Sequence, residues 1–189
     1  MNSQHTKSPD ELPDRGAAAT GSIPPASLLI RRAIPADGEA LLRLIEKLAE
    51  YEHLTPPDEG ARARLIRDMF STPPRIEAYL ALLGGLPVGY ALVFETYSSF
   101  LALPTLYLED IFVRPEFRGR KAGIALFRFL VREALERGCG RMEWVVLDWN
   151  QPAIDFYGRL GAKHMKEWQI HRLGRDELTS LLGGTGNSS

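Results

Sequence analysis

From Leu28 onward, short apolar runs alternate with stretches whose apolar residues recur every three or four positions. Leu28 to Arg32 reads as a first strand. Asp37 then stands as a helix cap, and Leu41, Leu44, Ile45 and Leu48 share one helical face. A second helix is predicted over Glu59–Phe70, stopped by Ser71-Thr72-Pro73-Pro74. The strands Glu77–Leu83 and Val88–Glu95 flank Gly84-Gly85-Leu86-Pro87, a hairpin composition. A further strand, Leu106–Val113, leads into Arg114-Pro115-Glu116-Phe117-Arg118-Gly119. The helix that follows runs to about Arg137, with Ile124, Phe127, Leu130, Val131 and Ala134 as its apolar stripe and Gly138 as its stop. Arg141–Leu147 reads as a strand, and Asn150-Gln151-Pro152 opens a short helix that Gly161 closes. A last strand is expected over about Lys163–Leu173. The fold class is therefore α/β (α+β mixed), with a central sheet, partly antiparallel and partly joined by crossovers, flanked by helices.

Residues 1–27 are rich in Ser, Pro, Ala, Gly and charge, and are expected to be a disordered extension because they offer little apolar surface to bury. Residues 183–189 are expected to be a flexible tail, leaving one domain over 28–182, as 189 residues suggest. A hydrophobic content of 44% supports a real core. With 23 basic and 24 acidic residues the net charge is -1, so no global field favours nucleic acid. No apolar run approaches the ~18 residues of a membrane span, and Met1 to Ser8 lacks the apolar core of a signal peptide. The expectation is a cytoplasmic protein with neither nucleic acid nor membrane as partner. The single cysteine, Cys139, excludes an internal disulfide; between two glycines it reads as a neutral structural residue. His53, His164 and His171 show no metal-ligand spacing, and no metal is expected.

Three segments carry candidate chemistry. In Leu106-Tyr107-Leu108-Glu109-Asp110-Ile111-Phe112-Val113, two acids interrupt what otherwise reads as a buried strand. A carboxylate there needs water, a cation or an open cleft. In a regular strand the two acids point to opposite faces, so one alone would serve a given site; the other reading is an acid solvated or ion-paired at a sheet edge. The second segment, Arg118-Gly119-Arg120-Lys121-Ala122-Gly123, joins a strand to a helix N-terminus. Unpaired amides, glycine and basic side chains there suit a pyrophosphate, although such residues are also common in purely structural turns. It is neither a P-loop nor a dinucleotide fingerprint. The third is Asn150-Gln151-Pro152-Ala153-Ile154-Asp155-Phe156-Tyr157-Gly158-Arg159-Leu160-Gly161-Ala162, where Tyr157 lies on the stripe of Ala153 and Leu160 and on spacing alone reads as core.

In this order, and with Leu48-Ala49-Glu50-Tyr51-Glu52 ahead of them, the segments resemble the Gcn5-related N-acetyltransferase (GNAT) superfamily, most closely its spermidine/spermine (diamine) N-acetyltransferase branch, over about residues 28–178. The resemblance implies a splayed, bulged central sheet and acetyl-CoA as cosubstrate. Backbone groups of Ile111, Phe112 and Val113 would meet the pantetheine, and Arg118, Gly119, Arg120, Lys121, Ala122, Gly123 and Ile124 the pyrophosphate. Asn150 matches a further cofactor contact. The family usually has Gly where this chain has Lys121, whose side chain either crowds the turn or adds a cation.

The resemblance also assigns chemistry. An alkyl ammonium with a pKa of about 10 must lose a proton before it attacks a thioester. Glu109 matches the family's base, and Tyr157 the acid that reprotonates the leaving thiolate. Attack would be direct, in a ternary complex. Tyr51, Glu52 and Asp110 join Glu109 as acceptor-side candidates; the plainer reading of Tyr51 and Glu52 is core and solvent. Polyamine-acetylating members carry an acidic pair late in the last strand, followed by a Trp, and this chain has Trp168-Gln169 and His171 there. A diamine or lysine-like amino acid is thereby expected over a long polyamine. Acetylation of protein amines and non-catalytic acetyl-CoA binding are the alternatives. The branch implies a homodimer.

Overall fold

Strands that follow one another in the chain also lie side by side. In the computed structural model, β1 (Leu28–Arg32), β2 (Glu77–Leu83), β3 (Leu86–Ser98) and β4 (Leu103–Val113) pair antiparallel in series, and β5 (Arg141–Glu143) joins β4 in parallel. The sheet is mixed, as the sequence predicts. The structure describes Met1 and residues 27–183. The expected extension and tail fall almost wholly on residues 2–26 and 184–189, outside the described residues. The chain divides into two compact units, Met1–Trp144 and Val145–Ser189.

In the first unit, β2 turns into β3 through Gly84 and Gly85 alone, at φ 58° and 85°. That two-residue left-handed turn is open to glycine at little steric cost. Helices α1 (Gly38–Glu52) and α2 (Glu59–Phe70) cover one sheet face. Leu41, Leu44 and Met69 pack there on Ala78, Leu80, Leu82, Tyr90, Leu92 and Phe112. Each large apolar side chain so buried contributes roughly 1.5–3 kcal/mol. The period-2 alternation of β2 sends Tyr79 to the opposite face, where α3 (Ala122–Glu136) lies. There its ring tilts against Phe129 at 5.3 Å and its hydroxyl donates to Glu133 at 2.9 Å. Arg137, just past the end of α3, donates to Glu77 at 2.6 and 3.0 Å and to Glu133 at 2.8 Å, clamping the helix to β2.

Asp37 does not cap α1 through its side chain. Its carboxylate accepts the Ile34 N–H at 2.8 Å and both arms of Arg31, closing the short 3-10 turn Pro35–Asp37 that precedes the helix. Asp58 does cap α2, accepting from the Ala61 N–H at 2.7 Å. No helix among the described residues is long and apolar enough to cross a membrane.

Two expected strands differ. The strand predicted over Arg141–Leu147 ends at Glu143, because its ladder with β4 covers only Thr105–Tyr107 and β4 then departs from regular pairing. The last strand, Lys163–Leu173, is absent among the described residues. Met165, Trp168, Ile170 and Leu173 are exposed there, and among the described residues no neighbour supplies the ladder that would make the segment a strand. The second unit instead contains α4 (Gln151–Arg159), capped by Asn150 and followed by Gly161 at φ 84°, and α5 (Arg175–Gly183).

Candidate active site

The acids of β4 sit on a β-bulge. Val93 pairs with Leu108 and Leu92 with Asp110, so Glu109 has no counterpart on β3. Such an extra residue bends the strand and interrupts its alternation. The opposite-face expectation for Glu109 and Asp110 fails for this reason: both line one open groove of about 580 Å³, with Ile45, Leu65, Ile76, Leu92 and Phe94.

The two acids are differently tuned. Glu109 is exposed. Asp110 is half-buried beside Leu92 and accepts a hydrogen bond from the Tyr90 hydroxyl at 3.0 Å. Burial raises its pKa to about 6; the Tyr90 bond pulls the other way, and the charges of Glu109 and Glu52 add to the rise. Glu52, in the last turn of α1, is also held above the ordinary carboxylate range by burial. Tyr51 is partly buried against the core, its ring 6.4 Å from that of Phe112. Tyr90 escaped the sequence reading. Its signal was a tyrosine in a strand whose buried hydroxyl requires a partner.

The far end of β4 offers backbone. Its ladder with β5 stops at Tyr107–Glu143, and among the described residues no strand pairs with that edge from Leu108 to Val113. Ile111, Phe112 and Val113 all lie on this stretch. After the 3-10 turn Pro115–Phe117, α3 begins without a side-chain cap. Gly119 has φ 77°, and a Cβ there would meet nothing within 4 Å. Lys121 is the N-cap residue and holds φ 65°, a left-handed conformation that favours glycine. The side chain is thus accommodated with the glycine-type backbone kept. The Arg118 guanidinium stacks over Tyr51 at 4.6 Å, and its Nε donates to Val113 O at 3.1 Å. Arg120 stacks over Phe117 at 5.5 Å. Ala122, Gly123 and Ile124 form the first turn of α3.

Asn150 is buried and its side chain accepts from the Ala153 N–H at 3.3 Å, capping α4. Tyr157 is partly buried on the same helix, edge-on to Phe156 at 5.4 Å. Cys139 is partly buried, and burial with the nearby Glu95 charge pushes its thiol pKa up, away from a nucleophilic thiolate.

The sequence profile of the acetyltransferase (GNAT) family matches residues 40–162, about two thirds of the chain. The chain belongs to the GNAT family. Thialysine N-epsilon-acetyltransferase from Sus scrofa is 35% identical over 169 residues, covering 84% of this chain and 99% of that protein. Spermidine/spermine N(1)-acetyltransferase-like protein 1 from Homo sapiens is 32% identical over 80% of this chain and 23% of its own length. Among solved structures, AAC(6')-Iy in complex with the bisubstrate analogue CoA-S-monomethyl-acetylneamine superposes with a TM-score of 0.67 at 20% identity, covering 79% and 99% of the two chains.

This GNAT protein is thus an N-acetyltransferase of the diamine branch, with the fold the resemblance implied. Enzymes of the family use acetyl-CoA. The residues here fit such a cosubstrate: an unladdered strand edge can hydrogen-bond an extended amide chain, and uncapped helix amides beside a glycine with open space suit phosphates. The stacking of Arg118 and its bond to Val113 O tie the turn to β4 and α1.

Proposed function

We propose that this N-acetyltransferase moves the acetyl group of acetyl-CoA directly to a primary amine of a small molecule: a diamine, a polyamine or a lysine-like amino acid. The observation that carries the reading is the pair of carboxylates, Glu109 and Asp110, brought by the bulge into one groove with an apolar floor. An ammonium is drawn to that charge. Its proton passes to the pair, directly or through water. Asp110 has a pKa of about 6, near a working pH, and Glu109 is the more accessible of the two. Tyr51 and Glu52 contribute to the acceptor side.

The amine nitrogen then attacks the thioester carbon and the carbon–sulfur bond breaks; the nitrogen sheds its second proton to water, while the Tyr157 hydroxyl gives a proton to the thiolate and is itself reprotonated from water. Amides along Ile111–Val113 and from Gly119 to Ile124, with Arg118, Arg120, Lys121 and Asn150, hold acetyl-CoA. The similarity to thialysine and spermidine/spermine acetyltransferases supports an aliphatic amine as acceptor. The reading extends to one acetyltransferase domain over about residues 28–182, working as a cytoplasmic homodimer.

The test is amine-dependent release of coenzyme A from acetyl-CoA, followed with matched mono-, di- and triamines and ω-amino acids. Turnover of short aliphatic amines is expected. No turnover of any amine despite acetyl-CoA binding would leave a non-catalytic binding module, and a strong preference for spermine would overturn the short-acceptor expectation.

A further inference from the structure

Tyr90 has no part in the transfer proposed above, yet it is bonded to a group that does. Its side chain is buried on β3 in one cluster with Leu41, Leu44, Leu80, Leu92 and Phe112, and its ring lies 6.4 Å from that of Phe112. Packing of that kind asks only for a ring, which phenylalanine would supply. A buried hydroxyl is costly unless it finds a partner. The partner here is Asp110, whose Oδ2 accepts from it at 3.0 Å.

The backbone fixes where that hydroxyl stands. Tyr90 pairs with Leu80 on β2 and with Phe112 on β4, so strands hold it from both sides. Gly89 beside it lets β3 press close to β4: a Cβ there would meet the Phe112 carbonyl oxygen at 2.6 Å. Asp110 is less constrained, because it follows the bulge at which β4 bends. Its carboxylate has several staggered orientations to choose from, and one bond from a rigid donor selects among them. With Oδ2 so engaged, Oδ1 is the oxygen left to the groove that Asp110 lines.

The surrounding charges make the donor matter. Glu109 from the same strand and Glu52 from α1 both oppose a charged Asp110, and no basic side chain lines the groove. Of these neighbours only the Tyr90 hydroxyl favours the charged acid. Burial and the same three carboxylates hold its own pKa well above the ordinary phenol value, so it stays a donor at any working pH. We infer that Tyr90 is a positioning residue for acetyl transfer: from the core it holds the Asp110 carboxylate by Oδ2, in the orientation that presents Oδ1 to the acceptor amine. It touches neither substrate and acts through Asp110. This inference rests on the amine-acetyltransferase reading above and adds a residue to its machinery.

The experiment measures kcat/KM between pH 5.5 and 9 for the full-length protein and for Tyr90→Phe, with acetyl-CoA saturating and 1,5-diaminopentane and lysine as acceptors. The ratio of variant to wild type at each pH cancels the ionisation of the amine itself. Phenylalanine keeps the ring in the core, and thermal melting checks that the variant folds. The variant should lose about fivefold or more at pH 6 and progressively less toward pH 9. Its acidic limb should move up by about one pH unit, with the KM for acetyl-CoA unchanged. Carbon NMR of the Asp110 carboxyl, without substrate, should show its titration moving up in parallel. A purely structural hydroxyl would give a loss of one size at every pH. A limb or a titration that stays in place, or a loss that does not vary with pH, overturns the role of Tyr90 and leaves the acetyltransferase reading intact. Wild-type protein that turns over neither amine overturns that reading, and this inference with it.

Discussion

The Tyr90 hydroxyl donates to Asp110 Oδ2 at 3.0 Å, linking a buried residue of β3 to the carboxylate that follows the bulge of β4. The bond favours the charged acid, yet burial outweighs it and the pKa rises to about 6. A raised pKa means that the folded protein binds this proton more tightly than the unfolded chain. The stabilising contribution is therefore complete below about pH 4 and is lost as pH rises through about 6. At pH 7.5 the charged group costs on the order of 2–3 kcal/mol. Asp110→Asn should raise the melting temperature at pH 7.5, with the gain shrinking toward pH 4. An equal gain at both pH values would contradict the assignment.

The same group sets a pH-rate expectation. The acidic limb of kcat/KM should have an apparent pKa of about 6, set by Asp110. The Glu109 charge contributes to the elevation, so Glu109→Gln should move whatever limb remains to lower pH. A limb that stays in place would separate Asp110 from the titration.

Lys121 carries a side chain at φ 65°, a conformation costing roughly 1 kcal/mol in L-residues. Lys121→Gly removes that strain and adds freedom to the unfolded chain, so stability should change by less than about 1 kcal/mol. If the ammonium meets phosphate, acetyl-CoA binding by calorimetry should weaken severalfold at low salt, and less at high salt. Unchanged affinity at low salt would make Lys121 a spectator.

Arg118→Ala removes both the stacking on Tyr51 and the bond to Val113 O. A rise in KM for acetyl-CoA, with kcat changed much less, is the expected split. Lysine should rescue poorly, since it lacks the planar face. Full rescue by Arg118→Lys would reduce the residue to a charge.

Arg137 neutralises Glu77 and Glu133, all three largely shielded from solvent. Arg137→Ala leaves Glu77 with Arg32 and the Tyr79 hydroxyl, and Glu133 with that hydroxyl, and should destabilise the fold by about 2 kcal/mol in denaturant titration. A loss under about 1 kcal/mol would show that water replaces the clamp.

Local pattern reached far into the first unit. The Ser71-Thr72-Pro73-Pro74 stop delimited α2, and the Gly84-Gly85 pair marked the β2–β3 hairpin, because stops and turns are written in adjacent residues. The bulge was not legible from residues 106–113 alone: a register shift depends on which β3 residue lies opposite, and nothing local to Glu109 states that. The pairing of the two acids on one face, and the coupling of Asp110 to Tyr90, were hidden for the same reason. Residues 163–173 mark the opposite failure, since apolar Met165, Trp168 and Ile170 among polar residues imitate a strand without supplying the neighbour that makes one. Glu109 stood out with Asp110 as an acid in an apolar strand, but its role and that of Tyr157 came through family resemblance, because spacing alone distinguishes neither from surface or core.

The central claim is that the bulge carboxylates take the proton that lets an amine attack acetyl-CoA. Its most direct measurement is the single-turnover rate of acetyl transfer to a short aliphatic amine at pH 7.5, in wild type and in the Glu109→Gln, Asp110→Asn double variant, with acetyl-CoA saturating. The account predicts a fall of about 10²-fold or more with acetyl-CoA affinity retained. A rate within a few-fold of wild type would contradict it.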